Sequence, residues 1–279
     1  MKAGHPLNGK GETMGKDIKL FNDHYQNFKG YNLHKAQLVI ADIPYNVGKN
    51  AYGSNPAWYN GGDNKNGESE LANSEFFDTD KDFRPAEFMH FCNRMMKKEP
   101  KQKGKSPCMI VFCAFEQQMP LIDLAKRYGI NNYINLVFRK NFSAQVLKAN
   151  MRVVGNAEYA LLLYRDKLPK FNNKGKMVFN IMDWETDQGR PKIHPTQKPV
   201  KLLKRLISIF TDPGDIVIDP VAGSGATLIA AMEIGRKAYG FEIKKEFHAK
   251  ATEWIEQTGS QQNLFIGNEK PVSQEYLQL

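Results

Sequence analysis

The sequence predicts an α/β fold: a mixed, mostly parallel sheet with helices on both faces. Three observations carry this. Short apolar runs bounded by turn residues have the length of strands buried on both sides (AQLVIA at 36–41, MIVFCAF at 109–115, GDIVIDP at 214–220, AYGFEI at 238–243). Segments with an apolar period near 3.6 lie between them. The two kinds alternate along the chain, as a sheet crossed by helices requires.

Taken in order, residues 1–16 are rich in Gly and Lys and are expected to form a loose N-terminus. The 36–41 strand ends abruptly at Asp42-Ile43-Pro44-Tyr45. Residues 46–83 are crowded with Gly, Asn, Asp and Ser; a stretch that long without apolar anchors predicts a functional lid or a disordered insertion. RPAEFMHFCNRMMKK (84–98) reads as an amphipathic helix opening with Pro. The 109–115 strand leads into QQMPLIDLAKRYGI, a helix closed by Gly129. YINLVFRK and EYALLLYR are further strands. KPVKLLKRLISIF (198–210) is a helix with a basic face. The 214–220 strand, the helix SGATLIAAMEIGRK, the 238–243 strand and the helix KKEFHAKATEWIEQ follow. A single domain over 17–257 and a ragged tail over 258–279 complete the expected organisation.

Hydrophobic residues make up 41% of the 279, enough for a full core. No run approaches a membrane span, and the N-terminus lacks the apolar stretch of a secretory signal. Three cysteines (Cys92, Cys108, Cys113) form neither a disulfide framework nor a paired zinc spacing, so no metal site and a reduced, cytoplasmic protein are expected. The net charge of +9 is unevenly spread: residues 84–210 hold 24 Lys/Arg against 9 Asp/Glu. A middle third this basic suits a polyanion, because neutralised phosphates release counterions; a solvated basic surface is the plainer alternative.

The most informative segment is Ile216-Val217-Ile218-Asp219-Pro220-Val221-Ala222-Gly223-Ser224-Gly225-Ala226-Thr227. A strand ends in Asp219, two glycines permit a tight turn close to a ligand, and a helix begins at once. Glu242 ends the next strand, where a carboxylate can accept from both ribose hydroxyls. A Gly-x-Gly alone marks many ordinary turns; the strand, helix and downstream acid make this one a nucleotide-type site. No Gly-Lys-Ser/Thr follows, and a carboxylate beside the glycines would repel a pyrophosphate. Asp42-Ile43-Pro44-Tyr45, taken alone, reads first as a strand-ending turn, since Asp and Pro are both common turn residues.

Together these segments resemble the amino-methyltransferases of DNA, which carry an Asp/Asn/Ser-Pro-Pro-Tyr/Phe tetrad and an Asp-Pro-Phe-x-Gly-Ser-Gly loop. His194-Pro195-Thr196-Gln197-Lys198-Pro199 is similar to a third family segment, and the order is that of the family's beta arrangement. The resemblance spans residues 17–255. Two departures stand out: Ile43 replaces a Pro and Val221 a Phe. The resemblance implies a Rossmann-like sheet of the S-adenosylmethionine-dependent methyltransferase type, S-adenosylmethionine as cofactor, and DNA, double- or single-stranded, as partner. It implies that the base is flipped out, and that family members are often dimers. Asp42 and the Pro44 carbonyl would accept the two N–H groups of the amine, freeing its lone pair, and Tyr45 would stack on the base. Asp219, Pro220, Ala222, Gly223, Ser224, Gly225 and Glu242 would form the cofactor pocket with Asp42. Thr196 and Lys198 would lie near the cofactor carboxylate. Asp23, in an Asn22-Asp23 pair, would touch the cofactor or sit in a surface turn. Glu158 would lie on a strand near the site, in a structural or a functional role.

Asp at position 42 leans toward N6 of adenine; N4 of cytosine is the chemically close alternative. Methylation of RNA or protein, or a catalytically dead DNA-binding module, are the others. The target-recognition segment is expected at 166–193, basic at Lys167, Lys170, Lys174 and Lys176, with 46–83 as a base-side lid carrying Tyr52, Trp58 and Tyr59.

Overall fold

The computed structural model describes residues 12–15, 17–45, 83–141, 145–148, 153–194 and 196–266. The proposed lid at 46–83, with Tyr52, Trp58 and Tyr59, lies outside these residues except for Phe83.

The strands are β1 (Glu12–Gly15), β2 (Ile18–Phe21), β3 (Leu38–Asp42), β4 (Cys108–Cys113), β5 (Asn132–Arg139), β6 (Gln145–Lys148), β7 (Val153–Gly155), β8 (Ala157–Tyr164), β9 (Ile181–Asp183), β10 (Ile216–Asp219) and β11 (Lys237–Phe241). The helices are α1 (Pro85–Met95), α2 (Gln118–Arg127), α3 (Val200–Phe210), α4 (Ala226–Glu233) and α5 (Lys245–Ile266). Nine strands form one sheet in the order β1-β2-β11-β10-β3-β4-β8-β5-β9, and β6 and β7 form a separate hairpin. From β2 to β4 the neighbours are parallel, whereas β1 and β8 run against the rest. The expected mixed, mostly parallel sheet is therefore present.

The period-2 pattern explains the layers. Leu38, Ile40, Cys108, Ile110 and Phe112 face one core with α3, α4 and α5; Val39, Ala41, Met109, Val111 and Cys113 face the other with α1 and α2. Both faces of the central strands are buried, so their sequences show continuous apolar runs. Gly240 allows this packing at β11: a Cβ there would come within 2.8 Å of Leu228 and 3.0 Å of Leu20.

Three local expectations change. Glu12–Gly15, taken as loose, pairs antiparallel with β2 along its length. Its hydrogen bonds are backbone bonds, which the polar sequence ETMG does not advertise. Residues 258–266, taken as tail, continue α5. Lys170, one of the basic residues of the expected target-recognition segment, is buried and ion-paired with Asp212 at 2.6 Å and Asp215 at 2.8 Å, and Lys167 donates to the Pro100 carbonyl. These two cations therefore tie the 166–193 segment to its own domain.

The topology makes a crevice. From β10 the chain crosses through α4 to β11 on one side; from β3 it crosses through α1 to β4 on the other. Carboxyl ends of strands at such a switch point are where open α/β sheets bind ligands. Asp42 ends β3 and Asp219 ends its neighbour β10.

Candidate active site

A cavity of about 330 Å3 opens at this crevice. Asp42, Pro44 and Tyr45 line it, as do Thr196, Lys198, Asp219, Pro220, Ala222, Gly223, Ser224 and Glu242. Three motifs separated by up to 200 residues in sequence thus share one wall.

The glycine loop is held by its own polar groups. Gly223 has φ +51° and Gly225 φ +77°, a region only glycine enters cheaply. Gly223 N–H donates to Glu242 Oε2 at 2.9 Å, and Lys244 N–H to Oε1 at 2.7 Å. Val221 N–H donates to Asp219 Oδ1 at 3.0 Å. Gly225 stands behind the cavity rather than in its wall: it precedes α4, and a Cβ there would meet Ala251 of α5 at 3.2 Å.

The Asn22-Asp23 pair acts from outside the wall. Asp23 accepts from His24 N–H, Asn27 and the Tyr31 hydroxyl at 2.7–2.8 Å, and His24 and Tyr25 line the cavity instead. Asn22 donates to the Glu242 carbonyl at 2.9 Å, fixing the end of β11.

The tetrad is built into β3 and β4. Ile43 is buried, and its N–H donates to the Phe112 carbonyl at 3.2 Å, a bond that proline could not make. The departure at 43 thus replaces a ring restraint with a sheet hydrogen bond. Val221 packs at the margin of the core under α1 and α2. Gln117 Nε2 donates to the Pro44 carbonyl at 2.8 Å, while its Oε1 accepts from Ala114 N–H at 2.9 Å. The Pro44 carbonyl, expected to await a substrate, already has one donor; its second lone pair remains.

Lys198, expected near the cofactor carboxylate, lines the cavity, and its ammonium sits between two carboxylates of the protein, 2.5 Å from Asp42 Oδ2 and 2.6 Å from Glu158 Oε1. Glu158 Oε1 also accepts the Tyr45 hydroxyl at 2.6 Å, and its Oε2 pairs with Lys140. Glu158, set aside in the sequence between two roles, is therefore the centre of the cluster. Burial raises Asp42 above the usual carboxylate range despite Lys198; two ammonium groups overcome burial at Glu158 and hold it at about 2. Asp42 Oδ1 is buried and has no hydrogen-bond partner among the described residues.

Other wall residues escaped sequence reasoning: Phe83, Phe241 and Phe247 line the cavity. His194, seen in the sequence only as part of its segment, lines it too, its ring 4.7 Å from that of Phe247. Phe247 reads as an ordinary residue of an amphipathic helix, and nothing in its spacing marks it. Burial, aided by Lys198 and Lys244, lowers His194 to about 4, so its neutral Nδ1 accepts from Thr196 N–H. Burial pushes Asp219 up to about 7. The described residues contain no group of three or more His, Cys, Asp or Glu that could hold a metal ion. None of their helices is long and apolar enough to cross a membrane.

Residues 36–253 match the sequence profile of the DNA methylase family. The DNA adenine methyltransferase YhdJ of Escherichia coli (strain K12) is 29% identical over 257 residues, covering 82% of this chain and 79% of that protein. The crystal structure of the M1.HpyAVI–SAM complex superimposes with a TM-score of 0.60 at 22% identity, covering 85% of this chain and 98% of the other. The PvuII DNA methyltransferase, cytosine-N4-specific, superimposes with a TM-score of 0.63 at 16% identity, covering 94% and 97%. At such identities the two structures speak to the fold alone.

Proposed function

The chain belongs to the N6/N4 DNA methylase family, and on that premise we propose that it transfers the methyl group of S-adenosylmethionine to N6 of adenine in DNA. The observation that carries this is that Asp42, whose Oδ1 has no hydrogen-bond partner among the described residues, lines a cavity that also holds the glycine loop and Glu242.

The wall suits this cofactor. Three carboxylates (Asp42, Asp219, Glu242) face a cavity lined with aromatic rings, a match for a cationic nucleoside and a mismatch for a polyphosphate. When bound, S-adenosylmethionine supplies a methyl group activated by its sulfonium. Glu242 retains lone pairs for ribose hydroxyls, and the glycines let the backbone approach. Thr196, Pro220, Ala222 and Ser224 complete the contact surface.

The residues on the tetrad side act on the amine. An adenine amine is conjugated with its ring and is a weak nucleophile. Asp42 Oδ1 accepts one N–H and the free lone pair of the Pro44 carbonyl accepts the other, which shifts the nitrogen toward sp3. Tyr45, tethered through its hydroxyl, offers its face to the base. The proton released as the N–C bond forms passes to Asp42 Oδ1, whose affinity for it is raised by burial. Such an atom is out of reach inside a duplex, so the base is flipped or the strand is single. A cytosine amine presents the same pair of N–H groups and is the second reading. Adenine is favoured by Asp rather than Ser at position 42 and by the relative named as an adenine methyltransferase.

Mass spectrometry of nucleosides from DNA incubated with protein and cofactor tests this. N6-methyladenine is expected; N4-methylcytosine would keep the mechanism and overturn the base, and no methylated nucleoside would overturn the reading.

Cofactor affinity should depend on pH through Asp219. With its pKa at about 7 it is protonated below neutrality in the empty pocket, whereas a cationic ligand binds its ionised form. Affinity should therefore weaken as pH falls from 8 to 5.5, approaching about tenfold per unit below 7. Calorimetric titration should show this slope, and Asp219→Asn should flatten it. Equal slopes in both proteins would assign the pH dependence elsewhere.

A further inference from the structure

We infer that Glu158 is a positioning residue that orients Asp42 and Tyr45 together, using Lys198 as the link to Asp42. The inference rests on the reading of Asp42 as the acceptor of the amine.

The geometry begins with β8. It is the strand running antiparallel between β4 and β5, so its first residues, not its last, arrive at the catalytic edge. Glu158 is its second residue and pairs in register with Phe138 of β5. Lys140 follows β5 and reaches Glu158 Oε2. Lys198 enters from the segment before α3, with only 6% of its side chain exposed, and Glu158 is 7% exposed. The Lys198 ammonium is enclosed by the rings of Phe112, Tyr45 and Trp184, at 5.2, 5.6 and 5.9 Å. The alternation of two carboxylates with two ammonium groups leaves the fully ionised cluster neutral.

The arrangement leaves one oxygen of Asp42 vacant. Pulled toward Glu158, Lys198 binds only Oδ2, and Oδ1 stays buried without a partner. A lysine with no second carboxylate could swing to bridge both oxygens of Asp42 and compete with the amine. Glu158 Oε1 also anchors the Tyr45 hydroxyl, so one side chain fixes the acceptor and the stacking ring. The other ionisable groups that Asp42 influences are Asp219 on β10 and Cys113 on β4, and Lys198 also acts on His194. None of these three takes part in the ion pairs of the cluster.

The test is Glu158→Gln, read in two ways on the full chain. In protein carrying 13C at the aspartate carboxyl carbon, with Asp42→Asn for assignment, Asp42 should titrate at lower pH in Glu158→Gln than in the native protein. It should titrate at higher pH in Lys198→Met. In single turnover on DNA, Glu158→Gln should slow methyl transfer by about 10- to 100-fold, with cofactor affinity changed less than about threefold. Glu158→Asp, which keeps the charge, should hold the titration near native and serves if the amide variant does not fold. An unshifted Asp42 titration, or an unchanged single-turnover rate, would overturn the inference. A native protein that methylates no DNA would instead sink the proposed function, while the titration would still report whether Glu158 governs Asp42.

Discussion

Asp42→Ala is expected to lower methyl transfer by about 10³-fold, with the fold intact and cofactor affinity weakened by less than tenfold. The size follows from removing a preorganised group that acts where charge develops, which typically costs 10²–10³ in rate. The intact fold follows from the cluster. Without Asp42, Lys198 still pairs with Glu158 at 2.6 Å, so no buried cation is stranded. The modest loss of affinity is expected because Asp219, Glu242 and the glycine loop stay on the wall when one of its three carboxylates is removed. Single-turnover kinetics with circular dichroism and cofactor titration check the three parts. Turnover within tenfold of native would remove Asp42 from the chemistry, and a large loss of cofactor binding would make it a pocket residue.

The central sheet was legible because its strands are buried on both faces and bounded by turn residues. β3, β4, β10 and β11 each appear as an uninterrupted apolar run, and no helix of that length fits between their Gly, Pro and Asp boundaries. β1 and β9 were not legible. They are short edge strands of four and three residues whose identity lies in backbone pairing with β2 and β5. The order of the strands was also hidden, since adjacency of β2 to β11 joins segments more than 200 residues apart.

The site divides in the same way. The glycine loop, Asp219 and Glu242 announce themselves because a nucleotide-type pocket demands a fixed local spacing. Glu158, Lys140 and Gln117 do not, because their contacts to Tyr45, Glu158 and Pro44 are made across the sheet and follow only from topology. Lys198 shows the limit from the other direction. Its motif was visible, but the sequence cannot say whether its charge meets a ligand or a carboxylate of the same chain, and it meets two of the latter. Ile43 is a milder case. Read as the loss of a proline, it is in three dimensions the gain of a hydrogen bond to Phe112.

Lys198→Met should destabilise the protein by about 3 kcal/mol near pH 8, the lower end of the cost of leaving a buried charge without its partner, because Asp42 is only partly buried. Glu158 keeps Lys140, so the stranded group is Asp42. The dependence on pH follows from linkage. In the variant, the folded-state pKa of Asp42 rises further above its unfolded value, so the penalty is absent below about pH 4 and grows as pH rises. In the native protein, Glu158 is held at about 2, below its unfolded value, so its contribution is present above about pH 4.3 and is lost as pH falls toward 2. Both effects widen the gap between native and variant as pH rises. Thermal melts should thus show a difference of roughly 10 °C at pH 8 and a smaller one at pH 5. Adding Asp42→Asn to the variant removes the stranded charge and should recover most of the lost stability without restoring turnover. A deficit that is the same at both pH values and survives the second substitution would mean that Lys198 stabilises by packing among Phe112, Tyr45 and Trp184 rather than by its charge. Recovery by Asp42→Asn would mean that the protein keeps a buried lysine because it keeps a partly buried carboxylate, and that the stability and the chemistry of the site have one electrostatic origin.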